Sequence, residues 1–276
     1  MKAARFDYVK AASIAQVVSL LAESDGMGKV VAGCQSLGPM LNLRLAQPEL
    51  LVDVRGIPEM TRFSHEDGAL VLGACVTHAA IEDRGVPDVT RGLMPFVAHG
   101  IAYRAVRNRG TIGGSLAHAD PAADWVSVMA LLDAQCIVAG PEGMRRESCA
   151  QWMAGAFTTG LDSSDVIVAV RVPELSASAR WSYQKFNRKP GEFGQAIAAF
   201  IDDPERRLVR AVIGGTDGAP RVIADATPLL DSRSIDAGRR ELVAAGIKPG
   251  SYEFQIHAAT LRRAAAALRH PERRAA

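Results

Sequence analysis

The sequence predicts an α+β chain built as two units, and three observations lead there. Through the first 175 residues, strand-length apolar pieces alternate with helically spaced ones across glycine-bearing junctions. Pro173 and the Ser/Ala stretch at 176–179 then break the pattern. Beyond the break, three strand-length pieces precede two helix-length ones, the make-up of a compact α+β unit of about a hundred residues. At 276 residues the chain is long enough for two cores. We therefore divide it into 1–175 and 180–276, with the first unit splitting again into about 1–55 and 56–175.

Phe6-Asp7-Tyr8-Val9 reads as a short strand. Ser13 and Gln16 form a capping-box pattern before Ile14, Val17, Val18 and Leu21 at helical spacing. Lys29-Val30-Val31-Ala32 is a buried strand that runs into Gly33-Cys34-Gln35-Ser36, after which Leu37, Met40, Leu41, Arg44 and Leu45 resume helical spacing. Leu50 to Val54 is the next strand, followed by a strand at 69–74 and a helix capped by Thr77. Strands are expected around Cys136–Ala139 and from Asp165 to Val172, with a short helical piece near Cys149 to Ala154 between them. In the second unit, strands at 183–186, 196–201 and 209–213 precede helices at roughly 235–245 and 252–269. The last helix carries Phe254, Ala258, Leu261, Ala265 and Leu268 on one face.

The stretch Arg107 to Pro121 is the densest in signals. β-Branched Thr111 and Ile112 favour extended backbone, Gly113-Gly114 allow positive φ, and their N–H groups are expected to be free for phosphate oxygens. Asp120-Pro121 reads as the cap and first turn of an apolar helix through Trp125, Val128, Met129 and Leu132. Residues 33–36 form a second strand–glycine–helix junction of the same kind. Two such junctions suit a ligand with two adjacent phosphates, and a dinucleotide fits best. The P-loop pattern fails here, because Pro39-Met40 stands where lysine and a hydroxyl residue belong. A Rossmann reading finds Asp53 twenty residues after Gly33 but lacks G-x-G-x-x-G.

Composition excludes other classes. A formal charge of +2 does not advertise nucleic-acid binding, and Arg206-Arg207 and Arg273-Arg274 read as solvated surface. No apolar run reaches the ~18 residues needed to span a bilayer, and no signal peptide opens the chain, so a soluble cytoplasmic protein is expected. Cysteines 34, 75, 136 and 149 lack C-x-x-C spacing, which encodes neither an iron–sulfur cluster nor a zinc ribbon. His78, His99 and His118 never pair at ligand spacing, and no metal site is expected.

Three segments then carry a resemblance: Val31 to Leu37, Asn42-Leu43-Arg44-Leu45-Ala46, and Arg107-Asn108-Arg109-Gly110-Thr111-Ile112-Gly113-Gly114-Ser115-Leu116-Ala117-His118-Ala119-Asp120-Pro121-Ala122-Ala123-Asp124. Together they resemble the medium, FAD-binding subunit of molybdenum hydroxylases, the group of aerobic carbon monoxide dehydrogenase and xanthine dehydrogenase. The resemblance covers nearly the whole chain, and its last motif is highly specific. It implies the two-subdomain FAD-binding fold of the vanillyl-alcohol oxidase (PCMH) type, followed by a small α+β C-terminal domain. Carried over residue by residue, Ala32, Gly33, Cys34, Gln35, Ser36 and Leu37 and then Thr111, Ile112, Gly113, Gly114 and Ser115 would wrap the FAD diphosphate. Asp124 would bind toward the ribose–adenine half. By spacing, Ile101, Ile167 and Lys185 complete the set, and a lysine cation there can stabilise negative charge on reduced flavin. The chain departs from the family pattern at Cys34, where bacterial relatives commonly carry glycine, and at Gly38, where leucine is usual.

The resemblance implies an electron-transfer subunit that carries FAD and has no catalytic residues of its own for substrate oxidation. Electrons would arrive from [2Fe–2S] clusters in a small partner subunit, having started at a molybdopterin-bound molybdenum in a large one, and would leave for NAD, quinone or oxygen. A dimer of heterotrimers is the implied assembly. Two other readings stay open on sequence alone: a self-sufficient FAD oxidoreductase of the same fold, and a binding or assembly protein that has kept the fold without turnover.

Overall fold

The computed structural model describes residues 2–231 and 235–270; Arg273-Arg274 lie outside them. The chain opens with β1 (Asp7–Lys10), α1 (Ile14–Glu23), β2 (Gly28–Val31), α2 (Leu37–Asn42) and β3 (Leu50–Asp53). These three strands form a parallel sheet in the order β1-β3-β2. The Ser13 side chain accepts the Gln16 N–H at 3.2 Å and Gln16 Oε1 accepts the Ala12 N–H at 2.7 Å, which closes the first turn of α1. Val17 and Leu21 then lie on its buried face. Asp53 ends β3 at the sheet centre, bound by Tyr8 Oη and by Arg55. Burial works to raise its carboxyl, but the hydrogen bonds from Arg55 and Tyr8 outweigh it and hold the group well below the usual carboxylate range.

The second part holds β4 (Phe63–Glu66), β5 (Ala69–Gly73), α3 (His78–Glu82), α4 (Leu93–His99), α5 (Arg104–Arg107), α6 (Ile112–His118) and α7 (Asp124–Leu131). It continues with β6 (Gln135–Gly140), β7 (Gly143–Ser148), β8 (Met153–Gly155), β9 (Thr158–Thr159) and β10 (Val166–Pro173). Its antiparallel sheet runs β4-β5-β10-β6-β7. Every residue of α7 is buried, so this helix is a core element and not an amphipathic one.

The last part is an antiparallel sheet in the order β11 (Arg180–Phe186), β12 (Ala196–Asp203), β13 (Leu208–Gly214), β14 (Arg221–Ile223). It is followed by α8 (Thr227–Leu230), α9 (Ile235–Ala244) and α10 (Tyr252–Arg269). The period of two divides this sheet between two cores. Ala198, Phe200, Ala211 and Ile213 pack with Phe254, Leu261, Ala265 and Leu268 of α10. Trp181, Tyr183, Ile197, Ala199, Ile201 and Val212 join the core that contains Trp125 and Met129 of α7. The sheet is therefore fastened to the first 175 residues by its whole inner face.

Three expectations are corrected. Asp120-Pro121 does not start the apolar helix: Asp120 Oδ1 accepts the Ala122 N–H at 2.9 Å in a turn, and α7 begins at Asp124. The turn is needed as a dock, since the carbonyls of Pro121 and Ala122 accept the N–H groups of Gly215 and Gly194. The segment Cys149 to Ala154 is not helical but leads into β8, drawn out by the Cys149 N–H to Ala134 O bond that extends the β6–β7 ladder. Gly113 and Gly114 do not take positive φ. Both lie in the first turn of α6, capped by Thr111.

Candidate functional site

Two glycine loops meet at one place. The first runs from Ala32 to Leu37, between the end of β2 and the first turn of α2. Cys34 sits at φ +60°, a left-handed conformation that costs a non-glycine residue about 1–2 kcal/mol. The position is one where glycine is the natural choice. Gln35 Nε2 folds back to donate to Gly33 O at 3.0 Å, and Gly38 N–H and Met40 N–H return to the carbonyls of Cys34 and Ser36. Among the described residues, no protein acceptor takes the N–H of Gly33, Cys34, Gln35 or Ser36, although Gly33 is buried. A buried backbone donor is almost always paired, so the Gly33 N–H, heading a row with three half-buried neighbours, is a candidate for an acceptor outside the chain.

The second loop is the opposite case. Ile112 N–H donates to Val76 O at 3.0 Å, Gly113 N–H to Ala74 O at 2.9 Å, Gly114 N–H to Thr111 Oγ1 at 3.1 Å, and Ser115 N–H to Thr111 O at 3.0 Å. The expectation that these donors are free is overturned: they zip the loop onto residues 74–78 and cap α6. What faces outward is the exposed Gly114 and the half-buried Ser115. The loops abut through their backbones, because a Cβ on Gly33 would stand 2.0 Å from Arg109 O and 2.9 Å from Gly110 Cα. Gly113 is required by packing, as its Cβ would meet Ala74 Cβ at 2.4 Å.

Burial pushes the Cys34 thiol up; the charges of Arg55 and Arg109 oppose it, and Asp53, the ion-pair partner of Arg55, adds to it, so Arg109 supplies the positive charge that Asp53 does not offset. Behind the second loop, His78 Nδ1 accepts the Trp125 indole N–H at 3.0 Å, and His78 N–H donates to Gly110 O at 2.9 Å. Burial, helped by the nearby charge of Arg107, pulls the His78 imidazole down to about 4, so it is neutral at pH 7.

The remaining expected residues fall in two groups. Ile167 is buried in β10 beside a bulge; the next residue's carbonyl, Val168 O, accepts the Ala74 N–H at 2.8 Å, and Ala74 O in turn holds Gly113. Asp124 and Lys185 converge, and Ile101 directly follows Gly100, whose carbonyl takes part. Lys185 Nζ lies 2.9 Å from Asp124 Oδ1 and donates to Gly100 O at 2.9 Å, and the side chains of both ion-pair partners are less than a tenth exposed. Asp124 and Lys185 thus meet at one point, which does not accommodate their expected division between the two halves of a dinucleotide.

Sequence reasoning missed three residues of this region. Tyr183, two before Lys185 on the same face of β11, donates its hydroxyl to Asp124. Arg107 donates Nη1 to the carbonyls of Ile101 and Ala102, both at 3.0 Å, while Nε and Nη2 hold Glu82. His78 is the third. The only advance signals were the alternation Trp181, Tyr183, Lys185 and the position of Arg107 inside the long motif. Among the described residues, no cluster of His, Cys, Asp and Glu could hold a metal ion, and no helix is long and apolar enough to cross a membrane.

Comparison with known proteins identifies relatives of the whole chain. Residues 4–175 match the family described as the FAD binding domain in molybdopterin dehydrogenase. The chain is 34% identical over 263 residues to the nicotine 6-hydroxylase medium subunit of Paenarthrobacter nicotinovorans, covering 93% of this chain and 91% of that one. It is 34% identical over 197 residues to the carbon monoxide dehydrogenase medium chain of Hydrogenophaga pseudoflava, covering 71% and 69%. A solved structure of carbon monoxide dehydrogenase from that organism superposes with a TM-score of 0.88 at 27% identity, over 97% of this chain and 98% of that one. Quinoline 2-oxidoreductase from Pseudomonas putida 86 superposes with a TM-score of 0.85 at 29% identity, over 98% and 99%.

Proposed function

Since the chain belongs to the FAD-binding medium subunits of molybdenum hydroxylases, we propose that it is the flavin station of such a complex, relaying electrons from a partner's [2Fe–2S] clusters to an external acceptor. The observation that carries the site is the row of backbone donors from Gly33 to Ser36 with no protein acceptor. A diphosphate supplies the acceptors those donors lack, and glycine at 33 lets the second loop close against the first.

In this reading Ala32 to Leu37 grip the diphosphate through the backbone, while Gly114 and the Ser115 hydroxyl border it from the second loop. Ile112 and Gly113 act indirectly, fixing that loop to 74–78. Ile101 and Ile167 offer apolar contact. Lys185 and Asp124 face the same end of the cofactor, and we assign both to the flavin end, because the Lys185 cation suits a ring that gains negative charge on reduction. Bound FAD supplies the redox chemistry; the chain's own residues bind, orient and set the local charge. Substrate oxidation falls to a large molybdenum subunit and delivery of electrons to a small [2Fe–2S] subunit, in a dimer of heterotrimers.

The test is to purify the full chain, reconstitute it with FAD, and then co-express it with candidate partner subunits. Stoichiometric yellow flavin, and iron and molybdenum that copurify only with the partners, are expected. A chain that binds no flavin would overturn the assignment. Flavin bleached by substrate in the chain alone, at the steady-state rate, would make it a self-sufficient oxidoreductase.

A further inference from the structure

We propose that Tyr183 is a positioning residue of the flavin site, holding Asp124 so that the charge of Lys185 is only partly cancelled. The inference rests on the flavin assignment above. β11 presents Tyr183 and Lys185 on one face, and both converge on the single buried carboxylate at the start of α7. Oδ1 of Asp124 receives the Tyr183 hydroxyl as well as the Lys185 ammonium at 2.9 Å; Oδ2 lies 3.2 Å from the same ammonium. Gly100 O takes a second N–H of Lys185. These three acceptors match the three donors of an ammonium, so Lys185 acts on a neighbouring ring through its charge.

The hydroxyl has a definite electrostatic effect. Its hydrogen bond draws part of the Asp124 charge toward the phenol and away from Lys185, in surroundings where little solvent screens the difference. Tyr183 itself stays protonated, because burial and the adjacent Asp124 charge push its phenol well above the ordinary value. Its aromatic ring is held independently, in the core and 6.3 Å from the Phe96 ring, so the hydroxyl can be removed with the ring left in place. Without it the carboxylate turns its full charge to the ammonium, and the cation that stabilises reduced flavin is more completely cancelled.

The experiment is redox titration of FAD bound to the full chain, in a cycle of Tyr183→Phe, Lys185→Met and the double variant. Tyr183→Phe should lower the flavin midpoint potential, in the same direction as Lys185→Met but by less, and weaken FAD binding about five-fold. In the Lys185→Met background there is no ammonium left for Asp124 to cancel, so adding Tyr183→Phe should shift the potential much less. A merely structural tyrosine would lower stability but leave the potential alone. If Tyr183→Phe does not fold, 3-fluorotyrosine at 183 keeps the shape, strengthens the donor and should raise the potential. Bound flavin with an unmoved potential, or an equal shift in both backgrounds, overturns the inference while leaving the flavin site standing; failure of the unmodified chain to bind FAD overturns the flavin site itself.

Discussion

The carbonyl oxygen of Arg109 lies 2.0 Å from where a Cβ on Gly33 would stand, so the first glycine loop is closed by the backbone of the second. Real Cβ atoms do not approach backbone that closely, and neither partner is a flexible side-chain tip. Gly33→Ala must therefore push the loops apart. We expect a loss of about 1–3 kcal/mol in urea unfolding, the usual cost of overpacking, together with loss of most bound flavin. Full flavin retention would show that the two loops need not touch to hold it.

The neighbouring glycines of the second loop separate by the same test. A Cβ on Gly113 meets Ala74 Cβ at 2.4 Å and Ala74 O at 2.8 Å, whereas one on Gly114 meets only Thr111 Oγ1 at 2.8 Å. Gly113→Ala should lower the thermal midpoint whether or not FAD is present. Gly114→Val should purify folded and colourless, since its side chain would stand in the cleft beside Ser115. A Gly114→Val protein with stoichiometric FAD would remove the second loop from the site.

The two glycines also show what could be read from the sequence. Their importance was legible, and so was the strand–glycine–helix form of both junctions. Their reason was not: positive φ and free donors were expected, but the donors are spent on Ala74 and Val76, which lie far back in the chain, and on the local cap Thr111. The α10 helix was legible because Ser251 caps it and one apolar face repeats along it. β7, Gly143-Met144-Arg145-Arg146-Glu147-Ser148, was missed because an edge strand with charged side chains carries no apolar alternation. The Asp124–Lys185 pair joins residues far apart in sequence, and only the docking of the last sheet on α7 creates it.

Cys34 gives a prediction of the opposite sign. At φ +60° it carries conformational strain that glycine would not, and relief of about 1–2 kcal/mol exceeds the roughly 0.5–1 kcal/mol of added chain entropy that glycine brings to the unfolded state. Cys34→Gly should leave flavin content unchanged and raise stability by up to about 1 kcal/mol in urea unfolding. Loss of flavin in this variant would mean that the Cys34 side chain, and not its backbone, serves the loop.

His78 sets a pH window. Its imidazole titrates near 4 in the folded chain against an ordinary 6.5. As pH falls from about 6.5 toward 4, the unfolded chain takes up a proton that the folded chain refuses, and stability falls by at most about 3 kcal/mol before levelling below pH 4. Glu82 and Asp165, held low by Arg107 and Arg145, add their losses mainly at more acidic pH. His78→Gln keeps an acceptor for the Trp125 indole and should flatten urea-unfolding free energy between pH 6.5 and 4. An unchanged slope would place the acid sensitivity elsewhere.

Arg107 ties the long motif to the turn that serves Lys185. Four of its donor contacts are used, two on Glu82 and two on the carbonyls of Ile101 and Ala102, and Ala102 itself sits at φ +45°. The next carbonyl back, Gly100 O, is the one that accepts from Lys185. A planar fork is needed to reach a carboxylate and two carbonyls at once, and a lysine ammonium cannot replace it. Arg107→Ala removes the main partner of Glu82, which keeps Arg104 and His99, and should cost about 1–3 kcal/mol. Arg107→Lys keeps the charge beside Glu82 but releases the turn, so it should fold with a smaller loss and yet bind FAD more weakly, because Gly100 O no longer holds Lys185 in place. Comparison of unfolding free energy with FAD dissociation in the two variants checks this. If Arg107→Lys lost stability while its FAD affinity stayed the same, the turn at 100–102 would be structural support only, with no bearing on how Lys185 is set.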